Sequence, residues 1–192
     1  MSRSREIIEI LADVVKSTAI GCTLVVPDYD KGGVMKMNCP EINYTFGNAQ
    51  YVKDRLDELS KTPSSNVMKF PLIALFCPFN EQRNSPEYYT KAKVRILIAC
   101  ASKQQWSNEQ RREISFVNIL RPIYNRFIKA LQEDGRFDFA YDGQVPHEYS
   151  ENYSYGRYGA YTGTGDAVSE TIDAINISNL ELKVKPQNCR QQ

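Results

Sequence analysis

Two apolar runs and one long helical pattern decide the fold: Phe70-Pro71-Leu72-Ile73-Ala74-Leu75-Phe76, Val94-Arg95-Ile96-Leu97-Ile98-Ala99, and the stretch around Leu120-Arg121-Pro122-Ile123-Tyr124. The first run is apolar on both faces, which is typical of a central strand covered on both sides. Pro71 should precede this strand and Pro78 should follow it, because proline cannot donate to a ladder. We expect the two runs to pair antiparallel, since elements adjacent in sequence are usually adjacent in the sheet.

Two shorter helices are predicted before these strands. Apolar residues recur at helical spacing over residues 7–15, behind a candidate N-cap at Ser4. Residues 42–46 alternate between apolar and polar types, as in a half-buried strand. Asn48 then has the type and position of an N-cap for a second helix.

Three further stretches are assigned from their patterns. Residues 23–26 and 34–37 read as the strands of a hairpin. Residues 80–89 are polar and are expected to form a loop. Residues 172–184 alternate as a strand whose phase slips at Ser178-Asn179, which predicts a β-bulge.

The longest helical pattern begins at a capping box formed by Ser107 and Gln110. Pro122 lies inside it, removes one helical hydrogen bond and crowds the carbonyl of Asn118, so we expect a kink or break near Arg121. Together these patterns predict a single α+β domain over residues 1–192. Its mainly antiparallel or mixed sheet of four to six strands packs with an N-terminal helix, a short helix and the long, proline-kinked helix.

Composition limits the possible functions. The chain has 192 residues, enough for one domain that buries roughly 70% of its surface. Its 24 Lys and Arg nearly balance 23 Asp and Glu, whereas a strongly nucleic-acid-binding domain is usually more basic. No apolar run approaches the ~20 residues of a membrane helix, so no membrane association is expected.

The 5 cysteines show no C-x-x-C pair, which indicates reduced thiols rather than a zinc site or a disulfide framework. The N-terminal arginines are followed by a helical pattern that contains Glu9 and Asp13, so we expect no signal peptide. Both observations favour synthesis and residence in a reducing cytoplasm.

Residues 147–166 are rich in tyrosine and glycine and are expected to form a loop. Tyrosine offers a large contact area with few rotamers to immobilise, and glycine lets a backbone adapt to a partner. Aromatic loops near arginine also suit single-stranded nucleic acid, but this one holds few cations. The candidate subunit or partner contacts are Tyr149, Tyr153, Tyr155, Arg157, Tyr158 and Tyr161.

Enzyme signals are sparse. His147 is the only histidine, which restricts Ser-His-Asp and Cys-His mechanisms, and no P-loop, nucleophile elbow or H-E-x-x-H motif is present. Pro27-Asp28 and Glu181-Leu182-Lys183 are similar to the elements with which one nuclease superfamily holds Mg²⁺, although here they lie far apart in the chain. A Mg²⁺-dependent nuclease using Asp28, Glu181 and Lys183 stays an alternative; otherwise no catalytic, cofactor-binding or metal-binding residue is expected.

The order of these parts resembles the tail-terminator and tail-completion proteins of tailed bacteriophages over roughly residues 4–185. The residues that carry this resemblance are the strand at Pro71, the strand from Val94 to Ala99, Leu120-Arg121-Pro122-Ile123-Tyr124 in the long helix, and Asp173-Ala174-Ile175-Asn176-Ile177. The sequence is most similar in character to neck proteins of crAss-like phages that infect gut Bacteroidetes. The region from Gly21 to Pro40 matches that pattern poorly.

The resemblance implies a structural virion protein without enzyme activity or cofactor. Such a protein forms a ring of six or twelve subunits in the phage neck or tail, contacts other neck, portal or tail proteins, and lets double-stranded DNA pass through its lumen. It would be made in the bacterial host cytoplasm and reside in the virion. A monomeric binding module that uses the tyrosine- and glycine-rich segment stays a further alternative.

Overall fold

The structure is a computed structural model, and it describes the chain in five stretches, apart from the side chains of residues 59, 60, 158 and 170. The described stretches are residues 5–27, 33–60, 69–139, 143–158 and 170–186. Within them the architecture is α+β, with helices packed on a mixed sheet of several strands. Ser4, Asp28 and Tyr161 lie outside the described residues.

The described stretches contain eight strands and four α-helices. The strands are β1 (Thr23–Pro27), β2 (Val34–Asn38), β3 (Asn43–Gly47), β4 (Leu72–Phe76), β5 (Glu81–Ser85), β6 (Tyr88–Ser102), β7 (Glu148–Tyr158) and β8 (Glu170–Val184). The helices are α1 (Ile7–Ala19), α2 (Ala49–Ser60), α3 (Asn108–Arg111) and α4 (Arg121–Glu133), and a π-helical segment, Arg112–Leu120, joins α3 to α4.

The main sheet has the strand order β3-β4-β6-β8-β7, and β5 pairs with β6 beyond the end of β4. Strands β3 and β4 are parallel and are connected through α2, whereas every other pair in this sheet is antiparallel. The predicted antiparallel pairing of the two apolar runs is confirmed, with Leu72 opposite Ala99. Strands β1 and β2 form a separate two-stranded sheet, as the hairpin prediction required.

The sheet is covered by helices on both faces, which explains why the first apolar run does not alternate. Ile73 and Leu75 of β4 face the main core, which contains α1, the π-helical segment and α4. Leu72 and Ala74 face the smaller core under α2, where Val52 and Leu56 pack on them. We call the two sides of the sheet the core face and the α2 face.

Local signals set the helix boundaries. The Asn48 side chain accepts a hydrogen bond from the Tyr51 backbone N–H at 2.7 Å, so the predicted cap of α2 is confirmed. The capping box of Ser107 and Gln110 is also present at the start of α3. Tyr51, an apolar residue in the first turn of α2, is 55% exposed.

The predicted irregularity near Arg121 takes the form of a change in hydrogen-bonding pattern. The π-helical segment ends at Leu120, where the Arg121 N–H donates to the Phe116 carbonyl, and α4 begins with Pro122 in its first turn. A wider π turn increases the separation between a residue and the carbonyl four positions earlier, which relieves the crowding that Pro122 would impose on Asn118.

Two predicted loops are wrong. Within residues 80–89, β5 pairs with the first half of β6, so β6 begins at Tyr88 and not at Val94. Within residues 147–166, residues 148–158 form β7, because tyrosine has a high strand propensity and β8 offers a complementary edge. The predicted bulge in β8 is confirmed, since Asn179 has a φ of 54° and the register with β6 shifts there.

Candidate functional site: the tyrosine edge

The candidate interface residues lie mostly on β7, the strand that ends the main sheet. β7 pairs with β8 along one side only, and no described residue pairs with its other side. An edge strand presents unpaired N–H and C=O groups that can pair with another chain. We call β7, with its exposed Tyr149, Tyr153 and Tyr155, the tyrosine edge.

A local irregularity divides these tyrosines between the two faces of the sheet. The register between β7 and β8 shifts between Asn152 and Gly156, and Ser154 there has a φ of 55°. The Tyr153 ring lies on the core face against Phe116, with ring centroids 4.4 Å apart. On the α2 face, the Tyr155 hydroxyl lies 3.4 Å from Nη2 of Arg95.

A buried charged network holds this irregularity in place. Asp173 of β8 is fully buried, and its Oδ1 accepts hydrogen bonds from the Ser154 N–H at 2.8 Å and from Arg111 Nη1 at 2.7 Å. Its Oδ2 accepts a hydrogen bond from the Ser115 hydroxyl at 2.8 Å. Arg111 also donates to the Ser102 hydroxyl and the Lys103 carbonyl. The network therefore connects β7, β8, the end of β6 and the long helix.

The outer part of the tyrosine edge packs on the long helix. The Tyr124 and Tyr149 rings meet edge to face, with centroids 4.8 Å apart. Arg121 donates to both oxygens of Glu151, at 2.7 and 3.1 Å, and Tyr149 donates to the same carboxylate. The hydrogen bonds from Arg121 lower the pKa of Glu151, and burial raises the pKa of Tyr149. These contacts fix where Tyr149 sits while 40% of it stays exposed.

The only histidine belongs to this cluster as a packing residue. Its Nδ1 lies 2.6 Å from the Val145 carbonyl and its Nε2 lies 2.8 Å from the Tyr124 hydroxyl. Because a carbonyl only accepts, Nδ1 of His147 carries a proton and donates to Val145. Both nitrogens are engaged by groups that are not Ser or Cys nucleophiles, so this geometry does not form a triad.

The remaining predicted contacts are only partly described. Arg157 is exposed on β7. The backbone of Tyr158 closes β7, but its side chain lies outside the described part of the chain, as does all of Tyr161. The structure thus brings Tyr149, Tyr153, Tyr155 and Arg157 together on one strand, although they point to different faces.

Two residues of the nuclease alternative, Glu181 and Lys183, form ion pairs with other residues. Glu181 forms an ion pair with Lys91 at 2.9 Å, and Lys183 forms one with Asp138 at 3.4 Å. Asp28 lies outside the described residues, so its distance to Glu181 is not defined. Across the five described stretches, no group of three or more His, Cys, Asp and Glu side chains is placed to hold a metal ion.

A second exposed surface lies on the β1–β2 hairpin. Every residue of β2 is exposed, including Val34 at 69%, Met35 at 45% and Met37. Leu24 of β1 is buried in the main core and anchors the hairpin to the body. We call the exposed apolar side chains of β2, which are Val34, Met35 and Met37, the hairpin surface.

Sequence reasoning missed a cationic row beside the tyrosine edge. Lys91, Lys93 and Arg95 of β6 occupy alternate positions and all face the α2 side of the sheet, while Ala92 and Val94 between them are buried. The alternation of basic and apolar residues was visible in the sequence. The prediction that β6 begins only at Val94 leaves Lys91 and Lys93 outside the strand, so the cationic row does not emerge from it.

Among the described helices, none combines the length and apolar character needed to cross a membrane. No known family model matches the chain, and no curated protein matches it in sequence. The arrangement around β7 offers an open strand edge, aromatic contacts and side chains held in place by hydrogen bonds.

Proposed function

We propose that this protein is a structural subunit of a ring in the neck or tail of a tailed bacteriophage, serving as a head–tail connector, terminator or adaptor. The observation that carries the proposal is the tyrosine edge, an 11-residue strand whose outer side is unpaired among the described residues. The order of elements, which resembles tail-terminator proteins, supports the same conclusion.

A ring built from identical subunits needs two different, complementary surfaces on each subunit. The tyrosine edge is polar and aromatic, with an open backbone ladder. The hairpin surface is apolar, with Met35 and Met37 as adaptable contacts, and β2 pairs only with β1 among the described residues. One surface of each kind per subunit is what a head-to-tail ring requires.

In this proposal the ring has six or twelve subunits and contacts other neck, portal or tail proteins above and below. Double-stranded DNA passes through its lumen without sequence recognition. The protein is made in the host cytoplasm and functions in the virion. Catalysis and cofactors have no part in this role.

Light scattering on the purified protein across a concentration series, with negative-stain imaging, tests the assembly. The expected species is a ring of six or twelve copies of the 22.0 kDa chain. An edge variant, Tyr149→Ser with Tyr155→Ser, and a hairpin variant, Met35→Glu with Met37→Glu, should each be monomeric. Tyr51→Ser is the matched control, because Tyr51 is exposed on α2 outside both surfaces and its loss should leave the ring intact.

Mixing the two variants tests the head-to-tail geometry directly. Each retains the surface that the other lacks, so an equimolar mixture should form a one-to-one dimer that cannot grow further. Dimers of the hairpin variant alone would instead show that two edges pair with each other. A strict monomer for the unmodified chain would contradict self-assembly, and Mg²⁺-dependent DNA cleavage abolished by Glu181→Ala would favour the nuclease alternative.

A further inference from the structure

A groove of about 800 Å³ runs along the part of the α2 face that α2 does not cover. Its floor is the first half of β6 and the bulged part of β8, and its wall is the connection between β4 and β5. We call it the basic groove. Its lining includes Phe76, Phe79, Lys91, Lys93, Arg95 and Glu181.

Two of the three cations that line the groove form no ion pair among the described residues. Lys91 is paired with Glu181 at 2.9 Å. Lys93 is exposed and forms no ion pair within the described stretches, although Glu181 lies directly opposite it on β8. Arg95 is also exposed, and its described partners are all uncharged. Two positive charges on one strand are therefore available to an anionic ligand.

Arg95 is held in position for such a ligand. Its Nε donates to Asn176 Oδ1 at 2.9 Å, and its guanidinium lies over the Phe76 ring, 4.9 Å from the centroid. Its Nη2 lies 3.4 Å from the Tyr155 hydroxyl. Because a planar guanidinium loses less freedom when it is already oriented, this arginine binds an anion at lower entropic cost than a free surface arginine.

Aromatic rings border the cations. Phe79 lines the groove with a half-buried side chain that packs against the main core, and Tyr155 of the tyrosine edge adjoins the groove at Arg95 with 38% of its surface exposed. Cations with flanking aromatic rings are the combination that binds single strands, since phosphates contact the cations and bases stack on the rings. The segment that contains Tyr155, residues 147–166, holds few cations. The neighbouring cations come from β6 instead.

We infer that the basic groove binds single-stranded nucleic acid on the free subunit, where Tyr155 is not covered by a neighbouring subunit. Alternate residues on a strand lie about 6.6 Å apart, so Lys93 and Arg95 can contact successive phosphates of an extended strand. The bases of a duplex are already stacked on one another and offer no face to Phe79 or Tyr155. An acidic peptide would use the two cations but gain nothing from the rings.

Fluorescence anisotropy with labelled oligo(dT) of about 15 nucleotides tests this inference on the full chain. Two phosphate contacts predict a slope of about −1.4 for log K against log salt, or about a sevenfold loss of affinity between 50 and 200 mM salt. Lys93→Gln with Arg95→Gln should lower the affinity at 50 mM by about tenfold or more and flatten that slope. Tyr155→Leu should cost about fivefold or more through lost stacking.

The matched control is Lys16→Gln with Lys129→Gln, which removes the same net charge from exposed positions on α1 and α4. It should leave oligo(dT) binding unchanged, and thermal melting should show that both double variants are folded. Equal losses in the two double variants would overturn the inference, as would absence of binding at 50 mM salt. Equally tight binding of a duplex of the same length, or of poly-glutamate, would also overturn it.

Discussion

Removing either charge of the buried Arg111–Asp173 ion pair should strongly destabilise the protein. The Arg111 and Asp173 side chains are 4% and 0% exposed, with 2.7 Å between their charged atoms. Arg111→Met leaves a carboxylate buried without its cation, and Asp173→Asn leaves a guanidinium buried without its anion. Each change should lower the free energy of unfolding by about 3–5 kcal/mol. For a chain of this size, that corresponds to a fall in melting temperature of about 6–20 °C.

The double variant distinguishes the ion pair from ordinary packing. With both charges removed, no uncompensated charge stays buried, so the double variant should be more stable than the sum of the single losses predicts. The coupling energy between Arg111 and Asp173 should be about 2–3 kcal/mol. Urea titrations with a common m-value give the three free energies.

Lys53→Met is the control for this cycle, because Lys53 pairs with Asp57 on the surface of α2 and its side chain is 53% exposed. It should cost less than about 1 kcal/mol. Single losses from Arg111 and Asp173 that add within about 0.5 kcal/mol would refute the reasoning, as would losses no larger than that of the control. Asp173→Ala should also speed hydrogen exchange at the Ser154 amide, whose acceptor it removes.

Three further changes are expected to have measurable effects. Arg121 lowers the pKa of Glu151, so the stabilisation is present above the ordinary glutamate pKa and is lost as pH falls through the lower folded value. Glu151→Gln should therefore cost about 1 kcal/mol at pH 7 in urea titrations, and this cost should shrink as pH falls below about 4. Burial raises the pKa of Cys100 to about 12, so iodoacetamide with peptide mapping should modify exposed Cys39 quickly and Cys100 only on unfolding. Gly47 has a φ of +152° and an added Cβ would lie 2.6 Å from the Tyr51 ring, so Gly47→Ala should cost about 1–2 kcal/mol in thermal melts.

Sequence reasoning succeeded where one local pattern had one structural solution. The capping box at Ser107, the cap at Asn48 and the slipped alternation at Ser178-Asn179 each specify a geometry within a few residues, and the structure contains all three. The two-sided apolar run at Leu72–Phe76 likewise indicated a strand covered on both faces.

The failures have a common physical cause, which is that edge strands depend on their partners. β5 and β7 are polar strands at the margins of the sheet, and β5 has almost no apolar alternation of its own. Each is held as a strand by pairing with a long neighbour, β6 or β8, that the local sequence does not reveal. The division of Tyr153 and Tyr155 between two faces depends on Asp173, which follows them by about twenty residues and has no local signature.

The position of β8 in the sheet has a consequence for synthesis on the ribosome. β8 follows the other strands in the sequence, yet it lies between β6 and β7. Until residues 170–184 have left the exit tunnel, β6 has an apolar side without its partner and β7 has no strand to pair with. The nascent chain therefore exposes an unpaired apolar edge from the emergence of β6 until that of β8, which makes it a substrate for ribosome-associated chaperones and makes truncated products prone to aggregation.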